Sequence, residues 1–171
     1  DTVDPQGVLS TPVMIGEPGS ASAMTAPNRF AVLPMEGWDC STDGQPSELL
    51  ERRWSRFAHS GAGLVWCEAT AVCPEGRANP NQLMINDATI GALTTLRSNF
   101  AADQVVGLQL THSGRWARPE GEPAPRIAYR HPQLDDKVAA SDASVFSDDE
   151  LEELAGNYIR AAHLAAEAGF D

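Results

Sequence analysis

Val105-Val106-Gly107-Leu108-Gln109-Leu110-Thr111-His112-Ser113-Gly114-Arg115 begins as a strand and ends in reactive side chains. Val105 to Leu110 form the short apolar run of a strand buried on both faces. A carboxamide, an imidazole and a guanidinium then arrive in quick succession. Core packing has no use for Gln109, because a buried amide left unpaired costs about 1–3 kcal/mol. The residue serves either a ligand with fixed donors and acceptors or the backbone of a neighbouring loop.

Two earlier runs repeat the pattern. Phe30-Ala31-Val32-Leu33 is closed by Pro34, and Leu64-Val65-Trp66-Cys67 ends in the more polar Glu68-Ala69-Thr70. Together they predict buried strands over 30–34, 64–69 and 105–110. An amphipathic helix follows each one. Ser47 caps a helix over 47–60 with Leu50, Trp54, Phe57 and Ala58 on one face and Gly61 as its stop. Asn86 or Asp87 caps a second over 87–101, with Ile90, Leu93, Leu96 and Phe100 inward. Ser147-Asp148-Asp149-Glu150 is a capping box opening a third over 148–168. Its inward face reads as Leu151, Leu154, Ala155, Tyr158, Ile159, Ala162, Ala165 and Ala166.

The remaining segments are loops. Residues 1–28, rich in Pro, Gly, Ser and Ala, read as a leader with a short hairpin through Val13-Met14-Ile15-Gly16. The stretch from His112 to Val145 is polar and carries four prolines. A segment that long is usually a functional loop.

Strand and helix alternate three times, which means a parallel sheet with right-handed crossovers. An open dinucleotide fold lacks support, because Pro34-Met35-Glu36 stands where a Gly-rich phosphate turn belongs. The polar residues gather instead where strands end: Glu36, Glu68, Gln109, His112 and Arg115. That distribution belongs to a (β/α)8 TIM barrel, an α/β fold whose site is built from the loops on that face. A whole barrel takes about 250 residues. The expected organisation is therefore a leader over 1–28 and the first three βα units over 29–171, truncated before strand 4.

Composition narrows the function classes. Net charge is −12, from 24 acidic and 12 basic residues. That opposes nucleic-acid binding and docking on anionic lipid. No stretch approaches the roughly 18 apolar residues of a membrane span. Asp1-Thr2-Val3-Asp4 has neither region of a signal peptide. Cys40, Cys67 and Cys73 form an odd set without CxxC. They predict free thiols, a cytoplasmic location, no disulfide framework and no metal site.

Five motifs in order resemble one family. They are Asn28-Arg29-Phe30 leading to Pro34-Met35, Gly61-Ala62-Gly63-Leu64 entering Glu68-Ala69-Thr70, Pro74-Glu75-Gly76-Arg77, the Gln109–Arg115 run, and Ala165-Ala166-Glu167-Ala168-Gly169-Phe170-Asp171. From about Val13 to Asp171 the chain resembles the N-terminal portion of the Old Yellow Enzyme family. The resemblance implies a (β/α)8 barrel and FMN as cofactor. It also implies an oxidoreductase that takes hydride from NAD(P)H and reduces an electron-poor acceptor such as an enone. Two alternatives stand beside it. One is a non-catalytic fragment that needs the missing part and self-associates through open sheet edges. The other is the iron–sulfur branch that reduces dienoyl-thioesters or demethylates amines.

The resemblance also suggests residue roles. Pro34, Met35 and Glu36 match the turn beside the flavin ring, with Glu36 where the family often has Thr or Cys. A carboxylate there disfavours the anionic reduced ring or is itself held protonated. The other reading turns it to solvent. Ala69 matches a small residue that leaves room for the ring's polar edge, and Gln109 the amide that bonds the ring's pyrimidine part. Trp38 matches an aromatic residue over the substrate, or is a lid or core tryptophan. No catalytic residue is assigned within the chain. The pair that grips the acceptor, a flavin arginine and the phosphate loops are expected beyond Asp171. Arg115 and His112 shape the strand end, with Glu68 or an acidic loop residue as an alternative partner for Arg115. Cys67 reads as packing, His59, His131 and His163 as surface or packing residues, and Arg52-Arg53 and Asp148-Asp149-Glu150 as solvated helix charges.

Overall fold

The computed structural model describes residues 7–171. The first six residues of the expected 1–28 leader lie outside that range. The leader contains an antiparallel hairpin, β1 (Val13–Ile15) and β2 (Met24–Ala26), in which Val13 faces Ala26 and Ile15 faces Met24.

Three further strands, β3 (Ala31–Val32), β4 (Leu64–Ala71) and β5 (Val105–Thr111), form one parallel sheet in the order β3-β4-β5. Helices α1 (Glu48–Ala58), α2 (Ile90–Arg97) and α3 (Asp148–Glu167) follow β3, β4 and β5 in turn. All three helices pack into one core with the sheet. Leu50 and Trp54 of α1 and Leu93 and Leu96 of α2 meet Val65, Cys67 and Val106, and Ala161, Leu164 and Ala165 of α3 join them. Trp54 sits at the centre, edge-on to Phe100 (6.3 Å) and Phe170 (6.2 Å). The other face of the sheet carries Trp66 and Gln109, both exposed. Trp66 lies across Gly107, where even a Cβ would meet the indole at 3.7 Å, ordinary van der Waals contact.

Four expectations change. The run 30–34 is not a buried strand. Only Ala31 and Val32 pair, and Phe30 (52%) and Leu33 (73%) are exposed, because β3 is an edge with one neighbour. The second helix is shorter than 87–101. Asn86 caps a preceding turn, accepting from the Ala88 and Thr89 amides, so the helix opens only at Ile90. The third helix is rotated from the expected face. Ala161, Leu164 and Ala165 are buried, whereas Ala155, Ile159, Ala162 and Ala166 are exposed. The 112–145 segment is ordered by its own small cluster of Ile127, Val138 and Ala140, with Val145 against it.

Candidate functional site

A β-bulge sets the geometry at the C-terminal edge of the sheet. Cys67 faces Leu108, but the next paired residues are Ala69 and Gln109, so Glu68 is extra. Cys67 points into the helix layer, and Glu68 follows it there. The carboxylate is 2% exposed. It accepts from Arg53 Nη2 (2.7 Å), Trp54 Nε1 (3.2 Å) and the Gly37 amide (3.3 Å). Ala69 then returns to the open face beside Gln109. Behind it, buried Gln82 accepts from the Ala78 amide (2.6 Å) and donates to the Ala69 carbonyl (3.1 Å), which fixes the end of β4.

Arg53 also grips Asp39 through two bonds of 2.6 and 3.0 Å. One guanidinium thus pins the 34–39 turn to both α1 and β4. A Cβ on Gly37 would collide with that guanidinium, which explains the glycine. Between these anchors Trp38 adopts a left-handed backbone, φ 48°, and is half exposed. Its indole N–H donates to Glu36. Burial, helped by repulsion from Glu68, raises the Glu36 carboxyl above its ordinary range, against the lowering effect of the Trp38 bond. Met35 is 72% exposed.

The fold therefore brings the Glu36–Trp38 turn, Ala69 and Gln109 to one edge of the sheet. Among the described residues the Gln109 side chain makes no hydrogen bond, although it is held on a rigid strand. The loop-backbone reading of Gln109 is not what the structure shows.

Glu68 does not join this edge, because the bulge sinks it among the helices. Nor does it pair with Arg115. That guanidinium binds Asp135 of the long loop, donates to the Tyr129 carbonyl (3.0 Å) and lies over the Tyr129 ring. Asp135, 3% exposed, takes Arg130 as well at 2.6 Å. Arg77 is a clamp, spending its guanidinium on the carbonyls of Pro74, Thr42, Pro80 and Pro119. Cys67 is buried packing.

Arg53 is therefore not a solvated charge. The signal was present: it lies three residues after Leu50 and four before Phe57, on the flank of the apolar face. Glu150 likewise caps α3 and pairs with Arg126.

The comparisons agree on one family. Residues 14–171 match the model of the NADH:flavin oxidoreductase / NADH oxidase family. The chain is 30% identical over 161 residues to an NADPH dehydrogenase of Geobacillus sp. (strain WCH70), covering 92% of this chain and 46% of that protein. Among solved structures, the Old Yellow Enzyme from Pichia sp. AKU4542 superposes with a TM-score of 0.76 at 21% identity, over 97% of this chain and 45% of that one. The Old Yellow Enzyme homologue from Zymomonas mobilis gives 0.70 at 26% identity, over 96% and 47%. The sheet and helices are thus the opening units of a (β/α)8 barrel. The chain spans about half the length of the curated relatives it matches. Among the described residues, no helix is long and apolar enough to cross a membrane.

Proposed function

The chain belongs to the NADH:flavin oxidoreductase / NADH oxidase family, and from that premise we propose that the complete protein is an FMN-dependent oxidoreductase. It takes hydride from NAD(P)H and reduces an electron-poor acceptor such as an enone. In this reading residues 29–171 are three βα units of the barrel and 1–28 a leader with a hairpin. The acceptor-gripping pair and the phosphate loops lie beyond Asp171. Asp171 supports a further strand there, because its amide donates to the Val106 carbonyl (2.9 Å) alongside β5.

One observation carries the flavin assignment. The Gln109 carboxamide offers a donor and an acceptor from a rigid strand, has no partner among the described residues, and stands in register with Ala69. A heterocycle edge with alternating donors and acceptors suits that group. The methyl of Ala69 leaves the edge open. The Pro34–Glu36 turn, pinned through Gly37 and Asp39, walls one side, and Trp38 stands over the acceptor. Glu36 stands at that wall with its charged form disfavoured by burial. The flavin, when bound, supplies the hydride chemistry, while the protein supplies position and electrostatics.

The test is Gln109→Ala in the full-length protein. Titration by flavin fluorescence should show affinity for FMN falling about 5- to 30-fold, matching a lost hydrogen bond of about 1–2 kcal/mol. Unchanged affinity rejects the role of Gln109. A wild-type protein that binds FMN yet oxidises no NAD(P)H rejects the activity.

A further inference from the structure

We propose that Cys73, Glu75 and His112 form a binding site for a divalent cation of the zinc type. The sequence gives no hint of it, since the residues come from two loops and lack ligand spacing. The fold brings them together: one ligand atom from each lies within 4.8 Å of the others. Sulfur, imidazole and carboxylate are the donor types zinc takes, and three such donors leave a fourth position for water. Glu75 is exposed and Cys73 buried, so the open position faces solvent.

Two features point to an ion rather than to packing. First, His112 Nε2 is buried and has no hydrogen-bond partner among the described residues. Phe146 lies edge-on to the ring at 5.7 Å and holds it in place, and in the ion-free form the Gly114 amide donates to Nδ1 (3.0 Å). Second, the framework is built before any ion arrives. The Val72 amide donates to the Thr111 carbonyl (3.1 Å) and the Ser113 amide to the Gly76 carbonyl (2.7 Å), so the loops after β4 and β5 are zipped together. A Cβ at Gly76 would collide with the His112 ring, so the approach depends on glycine. Arg126, the cation near His112, is engaged by Glu150.

Binding releases the Cys73 thiol proton to water and leaves the thiolate on the ion. It also puts the imidazole proton on Nδ1, so the Gly114 amide gives up its bond to the ring. The ion clamps the two loops that continue Ala69 and Gln109, independently of what those residues hold.

Cobalt(II) is the probe. Full-length protein, treated with chelator and dialysed, should develop a near-ultraviolet sulfur-to-cobalt charge-transfer band that saturates at one equivalent and is abolished by zinc. Cys73→Ser should lose the band and Cys40→Ser keep it. Glu75→Gln and His112→Gln should weaken binding by more than the roughly 10- to 100-fold that loss of an outer-shell partner costs. Zinc should also move the Gly114 amide resonance. Absence of the band in folded wild-type protein overturns the site, whatever the variants do. So does its persistence in Cys73→Ser.

Discussion

Arg53 and Glu68 stand 2.7 Å apart, with the glutamate side chain 2% exposed and the arginine 23%. The pair joins α1 to β4, and through Asp39 it holds the turn that carries Glu36 and Trp38. Its members are not equal. Glu68 has two other donors, whereas Arg53 is what neutralises it.

Arg53→Met should therefore destabilise the protein by about 3 kcal/mol, because it leaves a buried carboxylate without its counter-charge. Arg52→Ala, one residue earlier on the exposed face, should stay within about 0.5 kcal/mol. Urea denaturation of the two variants measures the difference. Equal losses would mean that Arg53 is the surface charge the sequence suggests.

Two carboxylates of one turn should respond oppositely to pH. Glu36 is raised above 4.5 in the fold, chiefly by burial, so its charged form is penalised there. That penalty is complete above its folded pKa and gone below 4.5. Glu36→Gln should raise the melting temperature at neutral pH, and the gain should fade as pH falls through the raised pKa. Asp39 is held below 3.8, first by its hydrogen bond from Arg53. It stabilises above 3.8 and loses that contribution as pH falls through its lowered folded pKa. Asp39→Asn should lower the melting temperature at neutral pH, with the loss shrinking in acid. Thermal melts across the acid range test both signs.

The glutamines at the ends of β4 and β5 should separate folding from binding. Gln82 is buried and bridges two backbone groups, so Gln82→Ala should cost about 1–3 kcal/mol of stability. Gln109 has no protein partner among the described residues, so Gln109→Ala should leave stability within about 0.5 kcal/mol. Paired denaturation curves decide it. A large loss at Gln109 would reveal a structural duty.

Residues 1–171 expressed alone should self-associate and hold FMN weakly or not at all. Phe30 (52%), Leu33 (73%), Met35 (72%) and Trp66 (46%) are exposed, and among the described residues β3 and β5 each pair with only one strand. A flavin ring fixed by a few bonds with one face in water gains too little to offset its immobilisation. Light scattering and fluorescence titration would show both effects. Micromolar FMN binding with turnover would place the working site wholly within these three units.

The architecture was legible because it rests on repetition. Apolar runs, Ser47 and Ser147 caps and the strand–helix rhythm each specify their element locally. What escaped depends on register or on distance. Periodicity alone places Glu68 on the face of Trp66, and only the bulge moves it. That Asp135 is the acidic loop residue which Arg115 binds, and that Cys73 meets His112, depends on loop paths that no local pattern encodes. The face of α3 differs from the expected one for a related reason: alanines fit either side of a helix, so spacing alone does not fix which side packs.

The extra residue in β4 works like a gear change. Up to Cys67 the strand keeps step with the helices. From Ala69 it keeps step with Gln109, and Glu68 absorbs the slip. Drawing that residue into the ladder would return the strand to simple alternation, put Glu68 beside Gln109 and swing Ala69 toward the helix layer. The two halves can therefore drift separately under mutation, the first answering to packing and the second to whatever the sheet edge must hold.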